Sequence, residues 1–246
     1  MKQFEAVIKT MDENGGYATL GYLNQNVLKI KDCEWKTKTP FASIRRIVQD
    51  NRYFFKIRPG LWALKSFKDK LPLYIYQGQS QQSTEKMQTE FNHTYYQGLL
   101  VEIGNLEKYQ TFVPNQDKNK IFLGKKLSEI ASVDKMFVFG YDNVVHKAQS
   151  IDVVWFNNRK MPKKMFEVEH STNIEHSLVK FNELQDFYTD YYIVADNARK
   201  KQFDDIVNQH TFREIHERVR FVDYQRISDL HTKSYEMLAI KSQSDI

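Results

Sequence analysis

Residues 151–169 read IDVVWFNNRKMPKKMFEVE: a β-branched and aromatic run, a polar basic middle, then a second apolar run. Ile151 to Phe156 and Met165 to Glu169 are each too short for a buried helix and rich in strand formers, so both read as strands joined by an antiparallel turn. Alternation along a strand puts Glu167 and Glu169 on one face and Val168 on the other. Pairing Phe156 with Met165 sets Asp152 opposite Glu169, with Glu167 one diagonal away. Three carboxylates then converge on one face of an apolar hairpin. That is too repulsive to persist without a cation or bound protons.

Outward from this hairpin, helical and strand patterns alternate. Asn92 to Leu106 carries Tyr95, Leu99, Ile103 and Leu106 at helical spacing, and Leu127 to Ala131 reads as a short helix. MFVFGY at 136–141 reads as a further strand. A helix follows within His170 to Phe187, then a strand YYIVA, a helix from Asn197 through Ile206 and a strand VRFVDY. The fold class is therefore α/β, or α+β overall, with a mixed central sheet.

The N-terminal third has a different character. Residues 1–72 hold 14 Lys and Arg against 7 Asp and Glu, while the remainder is slightly acidic although the whole chain is +5. Phe4, Val7, Ile8 and Met11 mark a first helix that Gly15-Gly16 ends, and Thr19 caps a second. Thr39-Pro40 opens a third, PFASIRRIVQDN, with Phe41, Ile44, Ile47 and Val48 inward and Ser43, Arg45, Arg46 and Gln49 outside. Then YFFKIRPGLWAL folds back at Pro59-Gly60, with Lys56 and Arg58 near the tip. Three helices and a basic hairpin make a winged helix, and its charge suits a polyanion. The Gln/Ser-rich stretch 73–86 reads as a linker. The expected organisation is a winged-helix domain at 1–72, a linker at 73–86 and a mixed-sheet domain at 87–246.

Several functions are disfavoured by composition. With Cys33 as the single cysteine, no internal disulfide or cysteine-rich zinc cage is available, and a reducing compartment is favoured. No uncharged apolar run of about 18 residues suggests a membrane span, so a cytoplasmic protein is expected. No Walker or dinucleotide glycine pattern and no GxSxG turn appears, so no nucleotide cofactor is expected. His93, His176, His210 and His216 show no zinc-ligand spacing among themselves. The all-oxygen set of Asp152, Glu167 and Glu169 suits Mg²⁺, with Mn²⁺ as a substitute, and a metal there would act on a phosphate ester.

The wording TKTPFASIRRIVQDNRYFFKIRPGLWAL resembles the HARE-type winged-helix family through TPxxSIRR and FxKIxPGLWAL, over about residues 2 to 65. That resemblance implies double-stranded DNA as partner, with Ser43, Arg45, Arg46, Gln49, Lys56 and Arg58 facing bases or phosphates. A protein-interaction role for such a domain is the alternative.

Asp152 followed by Glu167-Val168-Glu169 resembles the PD-(D/E)xK nuclease superfamily, restriction endonucleases above all, over about residues 86 to 222. The proline before the first acid is missing, and Glu169 stands where the lysine is usual, an ExE variant. The resemblance implies that Asp152, Glu167 and Glu169 are catalytic, that Asp152 and Glu167 hold metal, and that Glu102 on the preceding helix assists. Water activation is left to Glu169, to metal-bound hydroxide or to a lysine from elsewhere, with Lys180 as the candidate. The expected activity is a restriction endonuclease of type II character, cutting double-stranded DNA at a sequence- or modification-specific site as a homodimer. The alternatives are a non-catalytic DNA-binding regulator with a degenerate nuclease fold, or a nuclease of RNA or repair.

Overall fold

In a computed structural model, which describes residues 1–76, 85–170 and 173–243, the N-terminal apolar stripe forms helix α1 (Gln3–Glu13), burying Ala6, Val7, Thr10 and Met11. A short strand β1 (Tyr17–Thr19) runs directly into α2 (Leu20–Asn26), where the Thr19 hydroxyl accepts the Tyr22 N–H at 3.1 Å. Thr19 therefore caps as expected. Helix α3 (Pro40–Ile47) is shorter than its periodic stripe, because the chain leaves the helix at Val48 and turns at Asp50. Ile44 and Val48 are fully buried, whereas Phe41 and Ile47 are half-buried. Thr39 stands at the cap position without making a side-chain cap. Its hydroxyl lies 3.4 Å from that of Thr37 instead.

The basic hairpin is β2 (Phe54–Arg58) and β3 (Leu61–Leu64), antiparallel, with a bulge between Lys56 and Arg58 and Gly60 at a φ of 73°. β1 adds to β3, giving the order β1-β3-β2. Residues 77–84, most of the stretch read as a linker, lie outside the described residues.

Helix α4 (Glu85–Leu106) starts earlier than its apolar pattern suggests and buries Tyr95, Tyr96, Leu99, Leu100, Val101 and Ile103. Strand β4 (Gln110–Phe112) and a small ribbon of β5 (Ile121–Phe122) and β6 (Lys125–Lys126) follow, then α5 (Leu127–Ile130). The MFVFGY segment is not a strand. Phe137 and Phe139 pack edge-on or tilted against Phe156 while Val138 and Tyr141 are exposed, and α6 (Asp142–Ala148) follows. Aromatic anchoring of a loop mimics the strand signal there.

The central sheet holds β7 (Val153–Phe156), β8 (Pro162–Glu169), β9 (Asp190–Ala195) and β10 (Val219–Asp223), with α7 (Ile174–Asn182) and α8 (Lys200–Val207) between them. Its order is β10-β9-β8-β7-β4. β4, β7 and β8 pair antiparallel, and β8, β9 and β10 pair parallel, so the sheet is mixed as expected. Val154, Met165, Tyr191 and Ile193 from the strands join Ile174, Leu178 and Phe181 of α7 in one core. The last helix, α9 (Tyr224–Gln243), lies beyond the last strand read from the sequence.

Two compact units result: Met1–Ser83 with Ser228–Ile246, and Thr84–Ile227. The end of the chain thus packs with the first unit, whereas the linear division places it in the second. A Cβ on Gly21 would come within 2.6 Å of the Tyr235 ring and 3.0 Å of His231, so a glycine in α2 admits α9. Among the described residues, no helix is long and apolar enough to cross a membrane.

Candidate active site

Asp152 sits immediately before β7, and the observed register corrects the expected one. Val153 pairs with Phe166, Val154 with Met165 and Trp155 with Lys164, then a shift sets Phe156 against Pro162. Asp152 is therefore level with Glu167, two residues from the expected partner Glu169. A two-residue slip keeps every side chain on its face. The slip arises because β8 takes in Pro162, Lys163 and Lys164, leaving residues 157–161 as the loop. Asn157 closes that loop, its Oδ1 accepting the N–H groups of Arg159 and Met161. The strand tolerates its lysines because Lys164 lies over the rings of Trp155 and Tyr109, and Lys163 over Tyr188.

Asp152 Oδ2 accepts the Val168 N–H at 2.7 Å and lies 3.0 Å from His93 Nε2 of α4. One turn along α4, the Gln97 amide donates to the Asp152 carbonyl at 3.1 Å and to Asp117 Oδ2 at 2.7 Å. Lys120 holds the other Asp117 oxygen at 2.7 Å. His93, Asp117 and Asp152 each offer a ligand atom, all within 4.8 Å of one another.

The two glutamates form the other half. Lys180 Nζ donates to Glu167 Oε2 at 2.8 Å and to the Ser150 carbonyl at 3.3 Å. Ser177 Oγ contacts Glu167 Oε2 at 3.0 Å and also Glu169 Oε1. Arg199 Nη1 stands 3.9 Å from Glu169 Oε2, and the Tyr224 hydroxyl donates to the Glu169 carbonyl at 3.1 Å. Glu167 Oε1 is buried and has no hydrogen-bond partner among the described residues.

Burial and charge separate these groups. Burial pushes the Glu167 carboxyl well above the usual range, the Asp152 charge adds to this, and Lys180 opposes it. Burial raises Glu169 as well, against the Ser177 hydrogen bond. Burial would also raise Asp152, but the His93 charge, its hydrogen bond and the Val168 N–H hold it below its ordinary value. Burial would lower His93 and Lys180, yet Asp152 raises the first and Glu167 the second. The set therefore pairs a firmly ionised aspartate with two glutamates that hold protons readily, and Lys180 stays an ammonium.

The structure thus brings together Asp152, Glu167, Glu169 and Lys180. Glu102 is half-buried nine residues beyond His93, about 13 Å along the axis of α4. The sequence reading missed His93, Gln97, Asp117, Ser177 and Arg199. His93 and Gln97 sit four apart on one helix face, a signal that comparing histidines only with each other overlooks. Asp117, in the polar loop PNQDKNK, carries no periodic signal at all.

In the N-terminal unit, Arg46, Gln49 and Lys56 are exposed, and Ser43, Arg45 and Arg58 are half-buried. Ser43 Oγ donates to the Thr39 carbonyl at 3.3 Å. Gln49 lies past the end of α3. Arg45 is paired with Glu236 of α9 at 3.0 Å, and Asn24 and Lys233 hold the same carboxylate.

A model of a family described as "Type II restriction enzyme NmeDI C-terminal domain" matches residues 57–244. The type II restriction enzyme NmeDI of Neisseria meningitidis serogroup C is 24% identical over 151 residues, 57% of this chain. The match spans 42% of that enzyme's length. No solved structure matches.

Proposed function

Because the chain belongs to the NmeDI C-terminal domain family of type II restriction enzymes, we propose that it is a Mg²⁺-dependent endonuclease hydrolysing phosphodiester bonds of double-stranded DNA. The reading rests above all on Glu167 Oε1: a buried carboxylate oxygen without a hydrogen-bond partner among the described residues, on a strand level with the ionised Asp152. An oxygen left bare beside a second carboxylate fits a hard cation. Asp152 and Glu167 would hold it. When bound, such a cation would supply polarisation of the scissile phosphate and acidification of a water.

The protein's own groups divide the remaining work. Lys180, kept charged by Glu167, serves as a fixed cation facing the developing phosphate charge and not as a base. Glu169, whose burial raises its affinity for a proton, is the group suited to accept one from the attacking water. Val168 N–H and His93 hold Asp152 in place. This arrangement supports reading the hairpin as the ExE form of a PD-(D/E)xK centre, with Lys180 supplying the missing charge. His93 and Gln97 then take the helix position first given to Glu102.

The order of three helices and a β2–β3 wing supports a winged-helix reading of the first unit, with Arg46, Gln49 and Lys56 free to meet DNA. Cleavage of both strands calls for a homodimer, since one such centre cuts one strand.

The test is digestion of unmodified, adenine-methylated and cytosine-methylated plasmid DNA with Mg²⁺ or EDTA, native chain against Asp152→Asn. Discrete Mg²⁺-dependent fragments lost in the variant support the proposal and reveal any modification dependence. Intact DNA on all substrates despite tight binding would shift the reading to a DNA-binding regulator.

A further inference from the structure

The loop that delivers Asp117 to the site carries a second feature that the carboxylate chemistry does not use. Between Lys118 and Ser128 the chain forms an antiparallel ribbon: Ile121 pairs with Lys126, Phe122 with Lys125, and the N–H groups of Leu127 and Ser128 donate to the carbonyls of Lys120 and Lys118. Leu123 and Gly124, at φ 49° and 90°, make its turn, the positive-φ pair that matches strand twist in two-residue hairpins.

The ribbon is fixed at both ends. At its base, Asp117 is clasped by Gln97 and Lys120. Near its tip, the buried Phe122 lies 6.0 Å from the Tyr95 ring, and a Cβ on Gly98 would come within 2.2 Å of Phe122. Gln97 and Gly98 are adjacent on α4, so one helix face seats both the ribbon and the Asp117 carboxylate.

Charge distinguishes the lysines of this segment. Lys118 is spent on Asp134 and Lys120 on Asp117. Lys125 and Lys126 are exposed and make no ion pair among the described residues. Glu129 accepts the Lys126 backbone N–H without pairing either ammonium. Meanwhile Asp117, Asp152, Glu167 and Glu169 gather acids in the site, Lys120, His93 and Arg199 are already turned onto them, and Lys180, paired with Glu167, is assigned to the scissile phosphate itself. A phosphodiester chain approaching that surface needs cations that the acids have not claimed.

We infer that the β5–β6 ribbon is a phosphate clamp, in which Lys125 and Lys126, which strand alternation turns to opposite faces of the ribbon, together hold the DNA backbone where the Asp117 loop meets the site. The inference rests on the nuclease reading for its ligand. It assigns backbone positioning, not base recognition, to the ribbon.

The test measures binding of a short DNA duplex of arbitrary sequence by fluorescence anisotropy in EDTA, across a salt titration. It compares the native chain with K125A/K126A, with K125R/K126R and with K201A/K241A, which removes equal exposed charge elsewhere. Loss of two phosphate contacts lowers the slope of log K against log salt by about 1.8, or about 60-fold in affinity at about 0.1 M salt. That result in K125A/K126A, with retention in the arginine variant, is expected. Unchanged affinity and slope in K125A/K126A, or an equal loss in K201A/K241A, would overturn the clamp. Mg²⁺-dependent cleavage by the native chain and its loss in Asp152→Asn are read separately. Failure there sinks the nuclease reading whatever the ribbon does.

Discussion

Lys180→Met offers the sharpest probe of the buried charge arrangement. Methionine keeps most of the side-chain volume but removes the ammonium 2.8 Å from Glu167 Oε2, and that carboxylate is almost wholly buried. Removing one partner of a buried pair costs about 3 to 5 kcal/mol when the other must stay charged. Glu167 has an escape, because burial and Asp152 already favour its neutral form. The sign follows from that. The folded carboxyl has its pKa raised above the unfolded value, and the substitution raises it further. Protonation therefore rescues the variant at low pH, and the full cost appears only above the folded pKa. At the alkaline end of the range that the chain tolerates, the expected loss is about 3 kcal/mol, a fall in Tm of about 6 to 12 °C for a chain of this size. At about pH 5 only a hydrogen bond is lost, worth about 1 kcal/mol. Thermal unfolding of native and variant chains at both pH values is the assay. Equal Tm losses at the two pH values would refute the claim that Glu167 exchanges a salt bridge for a proton.

If the proposed cation sits at Glu167, Mg²⁺ is expected to stabilise the native chain more at about pH 8 than at about pH 6, since it must displace a proton that burial favours. A thermal-shift titration checks the direction. Glu236→Ala releases Arg45 from its 3.0 Å ion pair. Tighter duplex binding is expected, with a salt slope steeper by about 0.9, for one new phosphate contact. Gly104→Ala drives a Cβ to 2.6 Å from Thr111 Cγ2 and 2.7 Å from Trp155 Nε1. A loss of about 1 to 3 kcal/mol in denaturant unfolding is expected from this overpacking.

Legibility in the sequence followed local determinism. β7, β8 and β9 were readable because apolar runs of strand length lay between polar turns, and the mixed sheet followed from their alternation with helices. The acids on one face were readable because strand parity is a purely local property. Their partnering was not: the register depended on Lys163 and Lys164 joining β8, which rests on the distant rings of Tyr188, Trp155 and Tyr109. His93 and Asp117 were hidden for a related reason. Each meets Asp152 only through tertiary folding, across 59 residues in the case of His93. Conversely, MFVFGY had strand composition but spends its aromatics on anchoring a loop. The engagement of Arg45 by Glu236 spans 191 residues, and no local pattern announces it.

The first unit is built from two separated pieces of chain, and this has a consequence for synthesis. Residues 84–227 leave the ribosome before Ser228–Ile246, so the unit holding the carboxylates can complete its core while the N-terminal unit still lacks its final helix. During that interval Asn24 and Arg45 await Glu236, and the pocket over Gly21 awaits Tyr235. Of the two units, the one begun first is finished last.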